Sequence, residues 1–337
     1  MQKRIGKQTI VFQTPPVILG HAAVAGKTEG EGPLKDSFDQ INEDTYWGKE
    51  TWEQAESEMQ KTALSMALNK ANLAASGIDL LFAGDLLNQC TAAAFGHRET
   101  NIPFFGVYGA CSTMAEAMIL AAITVDSGAA SAAAAVTSSH FCTAERQFRF
   151  PLEYGGQRTP TSQRTVTGAG ATIIGSGNTG VKITHVTPGK IVDAGITDAS
   201  NMGAAMAPAA YDTIRQHLAD TGRKPHDYDL IVTGDLAAVG HQAVTDFFAQ
   251  DGQTLTNYQD TGLMIYDRDT QNVDAGASGC GCSAVVLNGY LLNALQAGAL
   301  TRVLFCPTGA LLSPTTTGQG ESIPGICHAV ALEAGGN

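Results

Sequence analysis

The stretch GACSTMAEAM, residues 109–118, holds a cysteine between small residues at the head of an apolar, helix-like run. At a strand-to-helix junction, free backbone N–H groups and the helix dipole lower the pKa of a thiol. A Cys111 thiolate there is a nucleophile of the kind that attacks thioesters. The competing reading is a small buried residue on the floor of a pocket, because cysteine is among the most buried residue types.

The other reactive side chains offer less. Cys280 and Cys282 form a C-G-C pair, but no second pair or histidine cluster completes a metal site, so both are read as packing beside glycine. Cys327, before His328, is read as a strand cysteine, and His241 as a helix histidine. The run GKTEG at 26 lacks the upstream glycine of a phosphate loop, and Glu29 and Glu31 would repel phosphate.

Composition limits the rest. A chain of 337 residues with 44% apolar content builds a sizeable core, and 38 glycines suit a turn-rich α/β protein. A formal charge of −12 disfavours nucleic acid as a partner. Seven cysteines, an odd number, suit a reduced protein better than a disulfide framework. The Ala-rich segment 115–136 is interrupted by Glu116, Asp126 and Gly128, so it reads as helix, turn and buried strand, and the chain as soluble.

The elements that must position Cys111 occur twice. DLLFAGDL at 79–86 is matched by DLIVTGDL at 229–236, each an apolar strand-like run after a helical segment (50–75 and 203–220). GACSTMAEAM is echoed by GCGCSAVVLN at 279–288, and each leads through a helical run to a strand, SAAAAVTSS or TRVLFCPTG. Two αβ halves follow, residues 1–178 and 179–337, packed through helices into a layered pseudo-twofold unit. VTGAGATII at 166 closes the first half and VKITHVTP at 181 opens the second. The first half carries two irregular insertions: an acidic one at 26–48, and 141–165, an Arg-rich cap or dimer-contact loop.

These features together resemble the thiolase and ketoacyl-synthase superfamily: duplicated halves, GACST before a helix, VTGAGA, and PTGALLSP near the end. Within it, GACSTMAEAM with SSHF and AERQFRFPLEYGGQRTPTSQRTVTGAGA is similar to the stage V sporulation protein AD family, over nearly the whole chain. The resemblance implies a five-layer αβαβα thiolase-like fold and a homodimer. It also implies binding of dipicolinic acid, or its calcium chelate, for uptake into the developing spore. The protein would then sit peripherally at the forespore or spore inner membrane, held by membrane-embedded proteins of the same operon.

The superfamily's condensing enzymes also use two histidines, or a histidine and an asparagine, from loops of the second half. Gly234 and Asp235 occupy the first of those places here, and Ser278 is nearest the second. Neither loop supplies an imidazole, and an anionic Asp235 would repel a developing oxyanion. The expectation is therefore a binding protein with no catalytic residue and no resident cofactor. Its pocket would be lined by Cys111 and Ser112 at the elbow, Ser139 and His140 beside it, Arg146 and Arg149 as anion donors, and Asp235 and Ser278 opposite. If calcium accompanies the ligand, Asp235 supplies an oxygen ligand. The alternatives are an acyltransferase or ketoacyl synthase using Cys111, and a purely structural subunit.

Overall fold

The computed structural model describes residues 3–148 and 158–335. Its first half runs β1 (Val17–Gly26), α1 (Trp52–Lys70), β2 (Leu80–Gly84), α2 (Thr91–His97), β3 (Phe104–Gly106), α3 (Thr113–Asp126), β4 (Ala132–Ser139), α4 (Phe141–Phe148) and β5 (Gly168–Gly175). The second repeats the plan with β6 (Lys182–Thr187), α5 (Met202–Thr221), β7 (Leu230–Gly234), α6 (Ala237–Gln250), β8 (Tyr258–Asp260), α7 (Cys280–Val286), β9 (Arg302–Ala310) and β10 (Ala329–Glu333).

The strands line up as β8-β7-β9-β10-β6-β1-β5-β4-β2-β3. Read from either end, each half contributes its third, second, fourth, fifth and first strand. The halves meet at β6 and β1 through one residue pair, Lys182 with Val17. The repeated DLLFAGDL and DLIVTGDL therefore fall on equivalent strands, β2 and β7.

Strands buried on both faces send successive side chains to opposite layers. Leu81 and Ile173 pack with Met59 and Leu64 of α1, while their neighbours Phe82 and Ile174 pack with Met114 and Met118 of α3. In the other half Ile231 and Leu304 meet Met206 and Ile214 of α5, while Val232, Val303 and Phe305 join the central cluster that includes α3 and α7. That yields five layers, αβαβα. The central helices lie between the strands of the two halves, and all seven residues of α7 are buried, which explains its Gly, Ala, Ser and Cys composition. The Ala-rich 115–136 run is α3, a turn and β4, as expected. Among the described residues no helix is long and apolar enough to cross a membrane.

The described parts of both insertions carry regular structure that their sequences did not suggest. Residues 26–48 fold as short 3-10 turns and a strand, Gln40–Asn42, parallel to β1. The 141–165 segment, expected to be a loop, begins as α4, and Arg164–Thr165 pairs with Ala277–Ser278. Ala144 and Phe148 lie four residues apart on one face of α4.

Candidate functional site

The elbow is built from its own hydroxyls. Ser112 Oγ donates to Gly109 O (2.7 Å), Thr113 Oγ1 donates to Ala110 O (2.5 Å), and Gly109 N–H donates to Thr113 Oγ1 (3.1 Å). These bonds hold Ala110 at φ +49°, a conformation that a residue with a Cβ seldom adopts. Ser112, expected to face a ligand, is thereby used in forming the turn.

The thiol that this turn presents is covered. Cys111 is 7% exposed and packs with Leu86, Ala144 and Cys280, with Phe148 against the same cluster. Burial drives its pKa well above the usual thiol value, and the nearby Asp235 carboxyl pushes it the same way. Of the two readings of this thiol, the activated nucleophile is disfavoured: desolvation and a neighbouring carboxyl outweigh the α3 terminus.

Asp235 stands where the synthase pattern would place a histidine. It sits at φ +68° after β7, with no exposure. Its backbone carbonyl accepts from Gln163 Nε2, and Oδ2 accepts Gly279 N–H at 2.7 Å. Oδ1 has no hydrogen-bond partner of ordinary geometry, although the Cys111 and Cys282 thiols act on the same carboxyl. Burial raises this acid well above the carboxylate range, and Asp260 adds to the shift. Asp260 itself collects Leu236 N–H, Ala237 N–H, Gly262 N–H and Thr233 Oγ1–H at 2.8 to 3.1 Å. Burial thus favours the protonated form of Asp235, in which the carboxyl donates a hydrogen bond, over the anionic wall that was expected. Burial raises both the Cys111 thiol and the Asp235 carboxyl, which disfavours the thiolate, and no imidazole takes the place that Asp235 occupies.

Ser139 and His140 do converge on this region, but their polar atoms are taken. Ser139 Oγ donates to Val166 O (2.7 Å) and accepts Gly281 N–H (3.1 Å), tying β4 to α7. His140 Nδ1 accepts Cys142 N–H (3.1 Å), so Nε2 carries the proton donated to Thr45 O (2.8 Å), and burial keeps the ring neutral. Neither offers the free donor that was expected. Ser278 is buried one residue before Gly279, and its carbonyl accepts Val166 N–H at 2.8 Å.

Arg146 is a clear correction. It lies two residues from Ala144, on another face of α4, where it pairs with Glu53 and stacks on Trp52 at 5.3 Å from the ring centroid. Arg149 lies outside the described residues. Arg158 pairs with Glu145 at 3.0 Å.

The remaining reactive groups are structural. Cys280 Sγ donates to Ser138 O (2.9 Å), and the buried Cys327 lies within hydrogen-bond reach of Cys306 O. His241 is on α6, stacked on Tyr258. No group of three or more His, Cys, Asp or Glu able to hold a metal occurs among the described residues.

The sequence reading missed a second pair of acids beneath the elbow. Glu56 of α1, fully buried, accepts Ser138 Oγ–H (3.0 Å) and Thr143 Oγ1–H (2.7 Å). Asp85 accepts Leu87 N–H and Ala93 N–H, both at 2.8 Å. Burial pushes Glu56 up to about 8, with Asp85's charge adding to it, and burial pushes Asp85 up to about 6. Asp85 was visible as the Gly-Asp of the repeated motif. Glu56, inside WEQAESEMQ, had no signal to separate it from a solvated helix face.

Known proteins share this frame. The family model described as stage V sporulation protein AD matches residues 6–333. Stage V sporulation protein AD of Bacillus subtilis (strain 168) is 48% identical over 335 residues, 99% of each chain. Among solved structures, a cerulenin-bound OleA of Xanthomonas campestris aligns with a TM-score of 0.60 at 18% identity, over 96% of this chain and 97% of that one. The 3-oxoacyl-[acyl-carrier-protein] synthase III of Aquifex aeolicus VF5 aligns at 0.56 and 16%, over 94% and 99%. At such identities the likeness is one of fold, with no bearing on chemistry. The near-complete family match, the 48% relative and the thiolase-like architecture together make this chain a member of the stage V sporulation protein AD family.

Proposed function

We propose that this sporulation protein is a non-catalytic binder of dipicolinic acid or its calcium chelate, serving uptake into the developing spore, with the ligand at the Cys111 elbow. The observation that carries the non-catalytic half is the pairing of a buried, neutral Cys111 with Asp235 in place of an imidazole. The ligand half rests on the family. The buried Asp235 carboxyl fits it, since burial favours the protonated acid and a protonated carboxyl donates to a ligand carboxylate. Ala144 and Phe148 of α4 cover the thiol, so a ligand enters only as that helix shifts.

Calorimetry with dipicolinate, alone and with calcium, is expected to give saturable heat in at least one form. No heat in either would overturn the reading, and a larger affinity with calcium would make the chelate the ligand. The acyltransferase reading keeps one supporting feature, the strained elbow that still presents Cys111. Intact mass after incubation with an acyl-thioester separates the two: no adduct is expected, and an acyl group on Cys111 would favour the enzyme.

The dimer forms, in this reading, along β3. Among the described residues that edge strand pairs only with β2, and Phe104, Phe105 and the nearby Tyr108 are 39%, 53% and 42% exposed. Aromatic side chains on an unpaired strand edge favour a second copy. Light scattering is expected to report two 35.0 kDa chains per particle, reduced to one by Phe105→Asp. A monomeric native protein would remove this surface from the proposal. The membrane-embedded proteins of the same operon remain the partners that would hold the dimer peripherally at the spore membrane.

A further inference from the structure

The chain carries 20 Lys and Arg against 32 Asp and Glu, yet one cleft in the second half has basic side chains and no carboxylate in its lining. Its volume is about 550 Å³. One wall, at the end of α5 and the turn after it, presents Arg215, Arg223, Lys224 and His226. The facing loop beyond α6 presents Thr254 and Thr256.

The acids nearby are already committed elsewhere. Asp220 accepts the Lys7, Gln8 and Thr9 amides, and Asp227 accepts Lys224 N–H. Glu333 pairs with Arg223 at 2.8 Å and with Arg302 at 3.2 Å. Arg223 also donates to Tyr228 Oη at 3.1 Å, which holds its guanidinium in place. Arg215 and Lys224 are exposed, and neither has a salt bridge among the described residues. A service to the α5 dipole does not explain the group, because the last turn of that helix has no basic residue.

We infer that this cleft binds a phosphate group, either free or as the headgroup of an anionic lipid. Arg215, stacked 5.4 Å over the Tyr211 ring, and Lys224 bring two positive charges that no salt bridge among the described residues neutralises, enough for a phosphomonoester or the phosphodiester of a lipid headgroup. A fixed guanidinium and two facing hydroxyls supply directed donors to its several oxygens. The site is distinct from the Cys111 elbow, being built on the outer helices of the opposite half.

Equilibrium dialysis with inorganic phosphate tests the free ligand. Co-sedimentation with phosphatidylcholine vesicles, with and without phosphatidylglycerol, tests the lipid. The expected result is saturable binding of one probe that weakens about tenfold or more in Arg215→Glu/Lys224→Glu. The control Lys27→Glu/Lys35→Glu, with the same number of charge reversals at exposed positions of the first half, is expected to bind as the native protein does. The substituted side chains are all exposed, so melting temperatures should not change. Phosphate bound and lost in the double variant assigns the free ion, and vesicle binding lost in it assigns the headgroup. No binding of either probe, or binding indifferent to the double variant, overturns the inference.

Discussion

A Gly309→Ala substitution is expected to cost roughly 3 kcal/mol or more and to abolish ligand binding at the elbow. A Cβ at Gly309 would stand 2.2 Å from Gly109 O, 3.1 Å from Ala110 Cβ and 3.2 Å from Cys111 N. The nearest of these is backbone, so no rotamer change relieves the clash. Neither side can retreat cheaply. Gly109 and Ala110 are held by the Ser112 and Thr113 hydroxyls, and Gly309 is paired with Ile326 while its neighbour Thr308 bonds Gly234 O. Gly318→Ala, where a Cβ meets nothing within 4 Å, is the matched control. Thermal melts and dipicolinate calorimetry on the two variants decide it. A Gly309→Ala protein with native stability would mean the elbow is not clamped by β9.

The second large effect lies in pH. Folded Glu56 keeps its proton up to about 8 against 4.5 for an ordinary glutamate, and Asp85 up to about 6 against 3.8. The folded state therefore binds more protons than the unfolded chain across that interval. Stability from these groups is complete below the ordinary carboxylate values and is lost as pH rises through the folded ones. Glu56→Gln removes one of the two titrations. A glutamine fits the site, because the Thr143 hydroxyl can turn its proton to His140 O, 2.9 Å away, and accept from the amide.

Near pH 5 the variant should match the native protein or fall slightly below it. Near pH 8.5 it should exceed it by of order 2 kcal/mol, and the fall in melting temperature between those values should be shallower. Parallel pH profiles for the two proteins would show that Glu56 ionises normally in the fold. The effect reaches the elbow, since Glu56 also holds Thr143 of α4, whose Ala144 covers Cys111.

The repeated halves and the elbow were legible in the residues because their signals are local. A strand buried on both faces must be apolar throughout, so DLLFAGDL and DLIVTGDL mark themselves wherever they occur. GACSTMAEAM likewise marks its helix and the turn before it, and the absence of an imidazole beside Asp235 could be read directly. Tertiary structure alone decided what those groups are chemically. The charge states of Cys111, Asp235 and Glu56 depend on how completely distant segments exclude water, and Leu86, Ala144 and the adjacent Gly279 and Cys280 come from three separate parts of the chain. Ser139 and His140 spend their donors on the carbonyls of Val166 and Thr45 and their acceptors on the amides of Gly281 and Cys142, and Arg146 turned to Glu53 and Trp52. Composition and spacing record which groups a chain owns. Desolvation and pairing, which set whether those groups can act, exist only once the chain has packed.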